Sequence, residues 1–255
     1  MERGVLVGLD ALDRIDVVVG DEARPRRCIV VHGGEWTAEE EGLLTVQALI
    51  KFMNLEEYAR LLYERDGHRT ELELTTFGEP PDTLLRWLRA RGVDCVLRSD
   101  DTPLAGPCRG QPARFSADAE GGPALDPLLA ACARRFAGDH GLAWPPAEDA
   151  LPAVDRALSQ RRIEAGFEPD EPAPDLQDGD LVVLAGAYAG EVVRERYGGH
   201  WKLQKGMHTP LVLVTAGDRP YTVNPIGKAR KHIEDGPDDS VAGLVGAVAH
   251  ILARR

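Results

Sequence analysis

Leu181 to Gly190 (LVVLAGAYAG) constrains this chain more than any other stretch. Its only side-chain polar group is the Tyr188 hydroxyl, and Glu191, Arg194, Glu195 and Arg196 come directly after it. A surface helix keeps one polar face, so a run apolar on all sides predicts a helix covered all round. Gly186 and Gly190 lie four apart, as do Ala185 and Ala189; the helix therefore carries a smooth strip that another backbone can approach. Glycine costs about 1 kcal/mol relative to alanine in a helix interior, and two of them imply a packing reason. A membrane span needs about 20 apolar residues, and Glu191 ends this run too early for one. Gly198 and Gly199 are expected to stop the helix, one of them in a left-handed conformation.

Beyond that helix the chain reads as a small antiparallel sheet, Trp201 to Leu203, Leu211 to Val214 and Tyr221 to Val223. Asn224 is a good N-cap and Pro225 suits a first helical position, so a helix runs from there to Gly236. Asp238 or Asp239 is expected to cap a last apolar helix, Val241 to Ala253. Residues 181–255 thus form an α+β unit around a buried central helix.

The start of the chain has a different pattern. Ile15 to Val19 and Cys28 to Val31 are β-branched runs expected to form a hairpin. Thr37 with Glu40 is a capping box opening a helix, and Asn54 with Glu57 repeats the pattern, which predicts a break and a second helix from Leu55 to Arg65. Leu72, Leu74 and Thr76 alternate with Glu71, Glu73 and Thr75 as in a half-exposed strand. A helix from Pro80 to Arg91 and a fourth strand, Val93 to Leu97, complete an α/β unit over residues 1–100.

Between the two, residues 101–180 hold 11 of the 18 prolines. Lys and Arg number 5 against 14 Asp and Glu over 118–180. This stretch reads as a proline- and acid-rich helical connector. It carries helices at Leu125 to Ala137 and Ala150 to Arg162, the second of which fits the C-terminal unit as well. Glu168 to Asp178 reads as a solvated linker.

GAYAGEVVRERYGGHW, a strand after it, and YTVNPIGKARKHIEDGPDDS together resemble a small domain of unknown function scattered through bacterial proteins. That family has a Gly-x-Tyr-x-Gly-Glu helix, a Gly-x-Trp strand and a Pro-then-Lys helix. The resemblance covers roughly the last 100 residues. It implies a fold rather than an activity.

Charge and cysteine narrow the function. The net charge of -12 argues against general nucleic-acid binding, which displaces counterions with an electropositive surface. Cys28, Cys95, Cys108 and Cys132 are too widely spaced for a Cys-x-x-Cys pair, and Cys28 and Cys95 sit in strand-like runs that suit buried thiols. The N-terminal sequence lacks a basic region and apolar core of the secretory kind, so a cytoplasmic location is expected.

Glu191 and His200 are the candidate catalytic residues. An acid directly after an apolar helix has a raised pKa unless a cation pairs with it, and Arg194 or Lys202 is the expected partner. Asn224, Lys228 and Lys231 are candidate ligand-binding residues, since free helix N-H groups and nearby cations favour an anion. Cations in a first turn oppose the helix dipole, so a carboxylate of this chain or of a partner is expected beside them. His200, His208 and Glu191 lack metal-ligand spacing; no metal and no cofactor is expected. His32-Gly33-Gly34-Glu35 outlines a phosphate cradle, which Glu39, Glu40 and Glu41 oppose by charge. No nucleophile elbow is present. The expected function is a non-catalytic binding, accessory or regulatory protein acting through protein-protein contacts, with a protein partner or a homodimer and no membrane. The alternative is an enzyme or small-ligand protein with a site around Glu191, His200 and Lys228.

Overall fold

The computed structural model describes residues 17–21, 24–32, 36–37, 39–91, 93, 95–98, 103–105, 124–168, 171–173, 176, 178–204, 209–216 and 219–253. The chain is a mixed α/β protein that divides into two compact units, Met1–Ala124 and Leu125–Arg255.

The first unit is a five-stranded sheet in the order β1 (Val17–Asp21), β2 (Arg24–His32), β3 (Glu71–Thr76), β4 (Cys95–Arg98) and β5 (Pro103–Ala105). The central trio is parallel and both outer strands run antiparallel to it. Parallel neighbours need crossovers, usually helical ones, and α1 (Glu41–Asp66) and α2 (Asp82–Ala90) supply them. Cys28, Leu72, Leu74 and Val96 are buried. Burial raises the Cys28 thiol to about 12. The neighbouring row is polar: Arg27 pairs with both Glu71 and Glu73 at 3.2 Å across the β2–β3 ladder. Strand β5 carries no pattern that the sequence alone marks as a strand.

Instead of the two helices expected on either side of Asn54, α1 is one helix of 26 residues. Asn54 is buried within it, amid Phe52, Met53 and Leu55. Tertiary burial of that stretch outweighs the local preference of asparagine for a cap. The Thr37 box is half realised: the Glu40 amide lies 3.3 Å from Thr37 Oγ1, and the helix proper starts at Glu41. Gly67, at φ 72°, ends it.

The second unit is built round α5 (Gly179–Tyr197). Every residue from Val182 to Val193 is buried. Four helices touch it: α3 (Leu125–Asp139), α4 (Leu151–Glu164), α6 (Pro225–Asp235) and α7 (Val241–Ala253). A three-stranded antiparallel sheet, β6 (His200–Lys202), β7 (Leu211–Ala216) and β8 (Arg219–Val223), completes the cover through its first two strands. Proline and acid content place α3 and α4 in a connector. α3 belongs instead to this unit, and so does α4, which also fitted it by sequence; the unit starts at Leu125 rather than Leu181, because a rod apolar on all sides needs cover on all sides. Phe136 of α3 meets Tyr188 of α5 with ring centroids 5.7 Å apart.

Gly186 and Gly190 have the packing reason that their cost implies. A Cβ on Gly186 would lie 2.5 Å from the Ile226 Cα, and one on Gly190 would overlap the six-membered ring of Trp201. Both contacts are with the second half of the unit, at the start of α6 and in β6. Gly198 (φ 68°) and Gly199 (φ 135°) release the chain from the helix.

Part of the expected linker is tied down as well. Arg162 of α4, 1% exposed, donates to the carbonyls of Ile233, Glu168 and Glu171. The Ala173 amide adds a bond to the Glu234 carbonyl at 2.6 Å. Asp178 then caps α5 through the Leu181 amide (3.0 Å) and pairs with Arg161 (2.6 Å). A buried guanidinium needs acceptors on several sides, so it gathers the chain around itself.

Gly186→Ala is expected to destabilise the chain by about 1–3 kcal/mol, because backbone rather than a flexible side chain must give way. Gly246→Ala in α7, where a Cβ meets nothing within 4 Å, is expected to stabilise by about 1 kcal/mol through helix propensity. Urea midpoints of the two variants moving in the same direction would refute this assignment.

Candidate functional site

Glu191 lies in the second-last turn of α5 and is 1% exposed. Its neighbour Gly190 leaves a slot that the Trp201 indole fills. The ring lies close enough to α5 for Nε1 to donate to Glu191 Oε1 at 2.7 Å. Arg194, one turn on, brings Nε to 2.9 Å from the same oxygen. Its Nη1 reaches Asp126 Oδ2 at 2.8 Å, and Asp126 Oδ1 accepts the Trp201 amide at 2.6 Å. Asp126 sits in the first turn of α3, where the helix dipole favours a negative charge. Two carboxylates, one guanidinium and one tryptophan thus close a ring that joins α3, α5 and β6.

Burial pushes the Glu191 carboxyl above its ordinary value, while the Trp201 and Arg194 contacts pull it down. The acid is plugged, as an arginine-paired carboxylate would be. The arrangement can lock three elements together, and it leaves Glu191 closed to a substrate.

The other candidates are not gathered around it. His200 precedes Trp201 in β6 and faces the opposite side of the strand, exposed. Asn224 Oδ1 accepts from the Gly227 amide and from Thr209 Oγ1, each at 2.8 Å, so it is the cap of α6. Lys228 pairs with Asp239, whose carboxyl it holds below the usual range. The acidic group expected near the α6 start is therefore a carboxylate of this chain, Asp239. Lys231 is exposed one turn further on. His208, with Gly33, Gly34 and Glu35, lies outside the described residues. Among the described residues no three His, Cys, Asp or Glu side chains group as metal ligands.

With Asp239 engaged by Lys228, the cap of α7 falls to Ser240, whose Oγ accepts the Gly243 amide at 2.9 Å. Asp155 of α4 takes the two amides before it, Val241 at 2.7 Å and Ala242 at 3.2 Å, together with the Ser240 hydroxyl at 2.7 Å. Beside Asp155 stands His232 of α6, and beyond the imidazole stands Ser159 of α4. Sequence reasoning misses this group. The signal available is Asp155 and Ser159 at i, i+4 on one helix face; nothing local points to His232, 73 residues further on.

His32, at the end of β2, is 1% exposed and packs against Trp36 with centroids 5.2 Å apart. Burial lowers its pKa to about 4, with Lys51 adding to the effect.

No protein-family model matches this chain, and none of the curated proteins or solved structures is significantly similar to it.

Glu191→Ala leaves a buried indole N-H without its acceptor and a guanidinium short of one partner. A loss of about 3 kcal/mol in urea unfolding is expected. Glu191→Gln keeps an acceptor and costs less. Because the folded carboxyl is raised above 4.5, stability due to the protonated acid is full below 4.5 and is lost as pH climbs through the folded value. The wild type is therefore expected to lose ground to Glu191→Gln as pH rises from 4.5 to 7. An offset between them that is constant with pH would count against a raised carboxyl.

Proposed function

We propose that this chain is a binding, accessory or regulatory protein that acts through protein-protein contacts, with the outer face of α7 as its docking surface. The observation that carries this reading is the composition and exposure of that helix. Val241 to Ala253 contains no Asp, Glu, Lys or Arg, in a chain of net charge -12. Val241, Val245 and Val248 face inward, buried. Gly243, Gly246, Ala247, His250 and Ile251 face outward, Ile251 at 48% exposure. An exposed face without charge supports a reading as an interaction site, and small residues there let a partner helix come close. No described helix, α7 included, is long and apolar enough to cross a membrane.

The alternative, an enzyme or ligand site at Glu191, His200 and Lys228, has less support. The first is closed by Trp201 and Arg194, the second lies on the other side of its strand, and the third is bound to Asp239.

Ala247→Glu places a charge at the centre of the α7 face, where a Cβ already projects outward, and is expected to leave stability within about 0.5 kcal/mol of wild type. Full-length wild type and variant serve as baits and as samples for sedimentation. The expected result is a stoichiometric partner, or a concentration-dependent dimer, that the wild type holds and Ala247→Glu loses. Identical capture profiles and two strictly monomeric proteins would overturn the reading.

A further inference from the structure

Asp155 and Ser159, one turn apart on α4, project from the same side of the helix. His232 of α6 enters between them, 1% exposed. Its Nε2 lies 2.8 Å from Ser159 Oγ, and its Nδ1 stands 3.5 Å from Asp155 Oδ1, near the carboxylate but not hydrogen-bonded to it. The Asp155 carboxylate is itself held by the Ser240 hydroxyl and two amides of the first turn of α7, whose dipole favours its charge. A carboxylate beside Nδ1 favours the tautomer that keeps its proton there. Nε2 is then a lone pair, and the hydrogen between it and Ser159 belongs to the serine. The order is hydroxyl, imidazole, carboxylate, which is the order that activates a serine. Ser159 is half-buried on α4.

We propose that Ser159 is a nucleophilic acceptor for an acyl group delivered by an activated ester, with His232 as its base and Asp155 as the residue that positions the imidazole. Ser159 Oγ forms a bond to the acyl carbon, the ester bond to the leaving oxygen breaks, and the hydroxyl proton passes to His232 Nε2. The leaving group departs as its anion or takes that proton, and the products are an O-acyl serine and the released alcohol. The site rests on α4 and α6 and is independent of the outer face of α7.

The surroundings also set the outcome. Ser159 lies inside α4, where backbone amides are engaged in the helix ladder. The first amides of α7 are engaged by Asp155 and Ser240. Neither source can donate to an oxyanion, and lacking one such donor slows acyl transfer about 10²–10³-fold. The acyl serine meets the same handicap in its hydrolysis, so it accumulates. This is a modification site rather than a rapid hydrolase. Burial, with Arg162 assisting, lowers the His232 pKa against the opposing pull of Asp155 and Asp239. The imidazole is therefore in its basic form throughout the neutral range.

The test treats the full chain with p-nitrophenyl acetate and locates the adducts by intact mass and peptide mapping. Ser159 is expected to carry one acetyl group, which Ser159→Ala abolishes while the chain stays folded. His232→Gln is expected to slow labelling about a hundredfold. Because His232 is buried and that variant can unfold, the wild-type pH profile provides a second readout. The Ser159 rate should be level through neutrality and fall only below the ordinary imidazole value of 6.5. Acetylation confined to amines, or a Ser159 rate that climbs with hydroxide across the whole range, would overturn the proposal.

Discussion

The second unit depends on how closely two pieces of backbone can approach α5. A methyl group at Gly190 would displace the Trp201 ring, and one at Gly186 would displace the Ile226 backbone. With both absent, β6 and the start of α6 lie directly on the helix. The indole then reaches Glu191, and the acid becomes tolerable in the interior because Trp201 and Arg194 face it. Taking a carboxylate out of water costs several kcal/mol unless charge and hydrogen bonds replace the solvent. The ring through Asp126 supplies both, and in doing so holds α3 against the end of α5. Steric fit comes first here, and the electrostatics depend on it.

The same order of cause applies at α4. Its inward face presents Leu151, Val154 and Leu158 to the core, and the polar residues beside that stripe take hold of several other segments. Asp155 holds the start of α7, Ser159 meets His232, Arg161 pairs with the cap of α5, and Arg162 binds carbonyls from two other segments. One short helix thereby determines where three others begin or end. The backbone of the acid-rich stretch after it is held by Arg162 at Glu168 and Glu171, while those two side chains stay in solvent.

Legibility from residues alone tracks this division between local and distant causes. The buried helix is legible, because ten residues in a row declare it, and so are its glycine stop, the Asn224 cap and the three strands after it. The pairing of Glu191 with Arg194 is legible because it is one helical turn long. Trp201 is not, since nothing about a tryptophan ten residues away says that a missing Cβ at Gly190 makes room for it. Asn54 misleads because its preference for a cap is local and its burial is not. The connector misleads because proline and acid describe a loop well but say nothing of a buried arginine that collects it. His232 with Ser159 and Asp155 belongs to the same class of tertiary coincidence.

The rims of both sheets have a consequence for how the molecule behaves in crowded solution. In the first sheet β1 is broken by a bulge at Val19/Gly20, and β5 is three residues long and begins with Pro103. In the second, β6 is three residues long, and β8 carries Pro220, which has no N-H to offer a newcomer. Open strand edges are templates for another chain, and these devices blunt them. Fibrillar growth by strand addition is thus disfavoured at these described edges. The described edges therefore turn an incoming strand away instead of templating it.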